Sequence, residues 1–287
     1  MVGLITKFSK WDRTRIVLLA LSFALVLVSF RELLLVHAPA VFNDPLEDMS
    51  FAWYVPLFSA YVIWRERAKI IASAREPSVV GALAVLCALF CGFLGMRGVQ
   101  VRLEILSFAS LVAFIPWAFY GPRMAARLFF PAAFLLFCMP FASFLDVVTV
   151  HLRLIATSVA TVILHGAGAD IVRTGTMISS SDGSFAIDVA SPCSGLRSLF
   201  ALLALSAGYS YFALSSWSRR ALLFVLSVPI AILGNVVRIL SICAVGSFAS
   251  TTFATGFYHD YSGYVIFAVS ILLMLLTANL LGRGEKK

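Results

Sequence analysis

The chain has 287 residues, of which 61% are hydrophobic and only 13% charged, and its mean hydropathy is +0.97. Soluble domains carry about 25% charged residues, so this composition cannot cover a water-facing surface and excludes both a soluble globular protein and a disordered one. The net charge of +8 therefore reads as topological, with basic residues gathering on the cytoplasmic loops of a membrane protein, rather than as the footprint of a nucleic-acid partner.

A spanning helix needs about 20 predominantly apolar residues. In chain order, such segments fall at 16–36, 48–64, 78–96, 102–120, 124–145, 196–214, 220–245 and 262–282. The first follows a basic start (Lys7, Lys10, Arg13, Arg15) and precedes Ala38-Pro39-Ala40, but its run is longer than the apolar region of a signal peptide. It is read as an uncleaved span. The second is short, and the fifth is interrupted by Pro131 and Pro140. The expected fold is an all-α integral membrane protein of about eight transmembrane helices, with a small extracytoplasmic β-hairpin. It forms one polytopic domain: a five-span half (1–145), an interfacial segment (146–195) and a three-span half (196–287).

Charge counting sets the orientation. With the N-terminus in the cytoplasm, the inside segments are 1–15, 65–77, 121–127, 215–220 and 283–287. They hold 15 of the 22 basic residues and 4 of the 14 acidic ones. Both termini are then cytoplasmic. The same count constrains 147–166, which is apolar but carries Thr149, His151, Arg153, Thr157, Ser158, Thr161 and His165. An even number of crossings separates the Arg123/Arg127 and Arg219/Arg220 loops. This segment is therefore expected to lie in the outer interface, or to dip in and return. Beyond it, alternation through Ile171, Arg173, Gly175 and Met177, a Ser179-Ser180-Ser181-Asp182-Gly183 turn, and Phe185, Ile187 and Val189 predict a strand–turn–strand hairpin.

That hairpin runs into Ser191-Pro192-Cys193-Ser194-Gly195 and a helix starting near Leu196. A cysteine at a helix N-terminus meets the positive end of the dipole and unpaired N–H groups, both of which favour the thiolate. Gly195 permits close backbone approach, and Arg197, one turn on, adds positive charge. The competing reading of Cys193 is a small packing residue. That reading is preferred for Cys87, Cys91, Cys138 and Cys243, which lie inside apolar runs. The five cysteines form neither a disulfide framework nor a zinc-ligand pattern, and no metal or organic cofactor is implied.

Arg238 interrupts the seventh apolar run, three residues after Asn235 and on the same helix face. An arginine within a span is costly and faces a partner, a cavity or the headgroups. His259, followed by Asp260, stands just before the last span. It is a candidate proton exchanger near neutral pH or a headgroup-level histidine in an aromatic belt. His37, His151 and His165 fit that headgroup-level reading better. Topology places Cys193, Arg238 and His259 on the outer side, and together they supply a nucleophile, an oxyanion donor and an acid/base.

The set Pro192-Cys193-Ser194-Gly195-Leu196-Arg197-Ser198-Leu199, then Pro229 through Gly234-Asn235-Val236-Val237-Arg238-Ile239, then His259-Asp260 with Gly263 resembles the exosortase/archaeosortase family of membrane cysteine transpeptidases. Val55-Pro56 through Trp64-Arg65-Glu66-Arg67 and Met139-Pro140 extend the resemblance over most of the chain. One departure is Ser50-Phe51-Ala52-Trp53-Tyr54 where the family often has a histidine-glycine pair. The resemblance implies Cys193 as nucleophile, Arg238 as oxyanion stabiliser or thiolate partner, and His259 as acid/base, with Arg197, Asn235, Asp260 and Gly195 supporting. It implies exported protein substrates bearing a C-terminal sorting signal (a PEP-CTERM-like or PGF-type motif, a hydrophobic span and a basic tail). These would be cleaved through a thioester and passed to an acceptor or to water. Membrane lipid is the other expected partner. The chain ends soon after the eighth span, so no fused soluble domain is expected. A transporter built around Arg238, a serine intramembrane protease or acyltransferase using Ser191 or Ser194, and a scaffold are the rival readings.

Overall fold

A computed structural model describes residues 10–44, 49–140, 146–181, 183, 186–188, 196–248 and 253–283. The chain divides into two compact units, Met1–Phe141 and Ala142–Lys287.

In the first unit, α1 (Lys10–Ser29) gives way to a π-turn (Leu33–His37) and α2 (Ala38–Asn43). The axis bends by 56° between the two parts. Pro39 follows the π-turn and brings no N–H, while Ala38 closes the wide turn by donating to the Leu33 carbonyl. The first span, expected over 16–36, is thus part of a bent helix pair. A 3-10 turn (Ser50–Trp53) leads into α3 (Tyr54–Ala72), whose last part carries Arg65, Glu66, Arg67 and Lys69. Next come α4 (Val79–Gly98) and α5 (Val101–Tyr120). Gly121, at φ +83°, turns the chain sharply into α6 (Pro122–Phe134), where Pro122 sits in the first turn. A short 3-10 segment (Leu135–Cys138) ends this helix before Pro140.

In the second unit, α7 (Asp146–Gly166) precedes a small antiparallel sheet ordered β1 (Ile171–Thr174), β2 (Met177–Ser180), β3 (Ala186–Asp188). The β2–β3 pairing is the expected hairpin. The first strand is shorter than expected and folds back at Gly175, giving a third strand. Gly175 has φ +65° and Thr174 pairs with Met177, leaving the two-residue loop that primed turns make. Then follow α8 (Leu196–Ala213), α9 (Trp217–Phe248) and α10 (His259–Gly282).

Among the described residues, four helices are long and apolar enough to cross a membrane: α4, α5, α9 and α10. A fifth is counted if the bent α1–α2 pair is one span. The clustered charges of α3 and the 13-residue length of α6 separate these helices from that group. Side-chain distribution agrees with a lipid setting. Leu21, Leu25, Val79, Leu86, Phe90, Val265 and Leu272 are exposed, whereas Ser59, Ser107, Ser206, Ser227 and Ser270 are buried. Among the buried serines, Ser227 and Ser270 donate to carbonyls one turn earlier, and Ser107 donates across to Ala88 of α4. Each hydroxyl is satisfied without water, as the hydrocarbon core requires.

Candidate functional site

The proposed nucleophile, Cys193, and Gly195 lie outside the described residues, in the stretch between β3 and α8. What flanks them is as expected from sequence: a strand before, a helix after. Arg197 is the second residue of α8 and is exposed.

The framework around that stretch is well defined. Ile171 of β1 and Ile178 of β2 are buried against Val236, Ile239, Ile242 and Cys243 of α9. Ala156 and Ala160 of α7 complete the cluster, and Tyr258, the residue before His259, packs on it. The sheet that leads to Cys193, the stretch of α9 that carries Arg238 and the entry to α10 therefore share one hydrophobic core. Arg238 is half-buried, as is Asn235 three residues before it.

The packing of α9 against α10 fixes where the Arg238 guanidinium sits. The two helices run antiparallel. A Cβ on Gly234 of α9 would stand 2.6 Å from Ser270 Oγ and 3.4 Å from Ile266 Cγ2. A Cβ on Gly263 of α10 would stand 3.2 Å from both Cζ and Nη2 of Arg238. The guanidinium thus lies over the bare backbone of Gly263, and a side chain there would move it. Gly263 is four residues after His259 and so on its helix face. The structure brings Arg238 against the first turns of the helix that His259 opens. For His259 and Asp260 only the backbone is described, at the start of α10.

Distance along the helices places this cluster far from the basic end of the unit. Arg219 Nη1 donates to Leu281 O at 2.9 Å, and Arg220 Nε donates to Leu214 O at 2.7 Å, tying the α8–α9 turn to the end of α10. At 1.5 Å per residue, Arg238 is about 28 Å from Arg219 and His259 about 33 Å from Leu281. These lengths match the roughly 30 Å hydrocarbon core. Arg238 and His259 therefore occupy the end of the helix pair opposite to Arg219. Phe253, Phe257 and Tyr261 form an exposed aromatic row there, with ring centroids 6.0 and 4.3 Å apart, as expected at a membrane–water boundary. The kink at Gly256 (φ −98°, ψ −108°) sets the start of α10 just before His259.

Sequence reasoning passed over one polar pair in the first unit. His37 Nδ1 and Glu104 Oε2 are 3.1 Å apart, and Glu104 is only 1% exposed. Its backbone N and Cγ methylene lie beside Gly95 of α4, whose absent side chain leaves room for them. An acid within an apolar run is a visible signal, but its partner lies 67 residues away in sequence. Cys138, read as a packing residue, is buried with its thiol against the Ala52 carbonyl. Arg102 Nε donates to Pro140 O at 3.1 Å, which holds the Met139-Pro140 segment to the start of α5.

Long apolar helices, an inverted polar interior and an arginine held between two spans define a multi-spanning membrane protein. A family model described as transmembrane exosortase matches residues 43–276. The chain belongs to the transmembrane exosortase family. Comparison with curated proteins and with solved structures gives no match.

Proposed function

We propose that this chain is a cysteine-dependent membrane peptidase or transpeptidase that removes C-terminal, PEP-CTERM-like sorting signals from exported proteins. In this reading it sits in the cytoplasmic membrane with eight spans and both termini inside. Its active site faces the opposite side. The Cys193 thiolate attacks the carbonyl of the scissile peptide bond. The Arg238 guanidinium receives the developing oxyanion charge. The C–N bond breaks, His259 gives a proton to the leaving amine, and the substrate remains as a thioester on Cys193. An acceptor nucleophile or water, deprotonated by His259, then cleaves the C–S bond and restores the thiolate.

The observation that carries this reading is the shared core of the second unit. The sheet before Cys193, the α9 segment around Arg238 and Tyr258 beside His259 pack on one another, and Arg238 lies over Gly263, one turn beyond His259. The test is a comparison of protein C-termini in membranes from cells carrying the native chain or Cys193→Ala. Client proteins keeping their apolar tails only in the variant are the expected result. The residues before those tails would define the recognised motif. Unchanged C-termini with stable variant protein would remove the peptidase reading and bring forward transport built around Arg238.

A further inference from the structure

The sheet of the second unit ends on β3, and its register fixes what that edge presents. Thr174 and Met177 close the two-residue turn at Gly175, so they exchange backbone hydrogen bonds. The antiparallel alternation makes Val172 and Ser179 the next bonded pair. Met177 and Ser179 thus direct their backbone groups at β1, and Ile178 between them directs its own at β3. Ile178 stands opposite Ile187. The residues on either side, Ala186 and Asp188, then point their N–H and C=O groups away from the sheet. Among the described residues β3 pairs with β2 alone, and Ala186 is exposed.

A bare strand edge is a template for another extended chain, and the two edges of this sheet differ. On β1, Ile171 is buried in the core shared with α7 and α9. Arg173 is exposed and folds its guanidinium back to the Gly175 carbonyl at 2.9 Å, and a charge of that kind blunts an edge. On β3 the exposed residue is a small alanine. From Asp188 the chain reaches Cys193 across Val189, Ala190, Ser191 and Pro192, a span of at most about 18 Å. The level in the membrane also matters. Ile242, in the core that the sheet packs on, lies about 34 Å along α9 from Arg219, at the far limit of the roughly 30 Å hydrocarbon core. A polypeptide leaving its spanning helix at that level has unpaired backbone groups of its own, and these are the partners that β3 lacks.

Building on the peptidase reading, we infer that the free edge of β3 takes up the client protein as a fourth strand, through the extended segment just ahead of its apolar tail. Main-chain groups of the client bond to those of Ala186 and Asp188. A carbonyl inside a helix is engaged by the N–H four residues on, so a client has to be extended where it is cut. The β3 edge supplies the template for that form and aligns it with the strand that leads to Cys193.

The test places a photoreactive residue on the sheet of the full chain in cells, combined with Cys193→Ala so that clients stay uncut. Clients are the proteins whose C-termini differ between native and Cys193→Ala cells. Ala186→benzoylphenylalanine should crosslink them. Val172 shares that face of the sheet but stands two strands away, so Val172→benzoylphenylalanine, about 10 Å further off, should give about a tenth of that adduct or less. In the otherwise native chain, Ala186→Pro removes only an outward N–H, which an edge strand tolerates. The thermal midpoint should hold while tail removal slows by about tenfold. Client crosslinks that are absent at 186, or equal at 172 and 186, overturn the proposal. So does tail removal at the native rate in Ala186→Pro. An adduct joining two copies of this chain at 186 overturns it in favour of edge-to-edge pairing between copies. Unchanged C-termini in Cys193→Ala cells remove the peptidase reading and this proposal with it. Altered C-termini without the crosslink at 186 remove this proposal alone.

Discussion

The α4–α5 pair of the first unit and the α9–α10 pair of the second use the same device for different ends. Both are antiparallel, and both place glycines at the contact. In α4–α5, a Cβ on Gly81 would stand 2.6 Å from Ala118 N and 2.7 Å from Trp117 C, so backbone meets backbone. Without a hydrophobic force between helices in lipid, such close approach is how spans gain contact energy. In α9–α10, the space left by the glycines is filled by polar side chains: Ser270 Oγ at Gly234 and the Arg238 guanidinium at Gly263. At Gly81 the first pair has traded a side chain for adhesion, although at Gly92 it too makes room for a hydroxyl, Ser107 Oγ, 2.6 Å from where a Cβ would stand. The other has traded side chains for room to hold a cation between helices.

This difference can be broken most sharply at Arg238. Arg238→Ala should lower sorting-signal cleavage by about 100- to 1,000-fold, the usual cost of losing an oxyanion donor, and Arg238→Lys should not restore it, because a point charge does not reproduce the planar fork. Single-turnover assay of purified protein on a tailed substrate measures this. Near-normal turnover in Arg238→Ala would reduce the arginine to a structural element.

Next in size is a pair of substitutions that should separate stability from activity. Gly81→Ala forces a methyl into backbone that cannot rotate away, and overpacking of that kind costs about 1–3 kcal/mol. The thermal midpoint in detergent should fall, while activity per folded molecule holds. Gly263→Ala meets only the end of a flexible side chain, so its midpoint should change little. The guanidinium must shift instead, and displacement of a positioned group should cost about tenfold in rate. If Gly263→Ala lowers the midpoint as much as Gly81→Ala and spares the rate, the two helix pairs are alike after all.

Much of this was legible in the chain itself. Apolar runs and the low charge content marked the membrane class, and Pro140 marked the end of the fifth segment, whereas α6 runs on through Pro131. The strand-to-helix context of Cys193 and the interior position of Arg238 marked the candidate site. Contacts between elements distant in sequence were not legible. Nothing in the 3.6-residue periodicity of α9 says that Arg238 meets Gly263 rather than any other neighbour. The turn at Gly175 was hidden by an alternation that continued across it. The His37–Glu104 pair was hidden because only one partner looks unusual in sequence.

That pair offers a test on the adhesive side of the comparison. Glu104→Ala removes the partner facing His37 and leaves that part-buried imidazole without it, at a cost of about 1 kcal/mol. Glu104→Gln keeps an oxygen in place and should recover most of the lost thermal midpoint. Equal losses in the two variants would show that the contribution comes from charge rather than from the hydrogen bond.

The smallest expected effect is at Gly175, where strain acts without crowding. An added Cβ meets nothing within 4 Å, yet φ is +65°. Gly175→Ala should therefore cost about 1 kcal/mol through backbone conformation alone. The cost falls on the β1–β2 turn, which holds Ile171 and Ile178 against α9. A small drop in midpoint with an unchanged rate would mean that the sheet serves only as a brace. A rate loss larger than the stability loss would mean that the sheet transmits its position to the Cys193 segment that it leads into. Gly263→Ala perturbs the cation directly and Gly175→Ala only the scaffold before the thiol. Comparing their rate effects at matched stability distinguishes a site set by the helix pair from one set equally by the sheet.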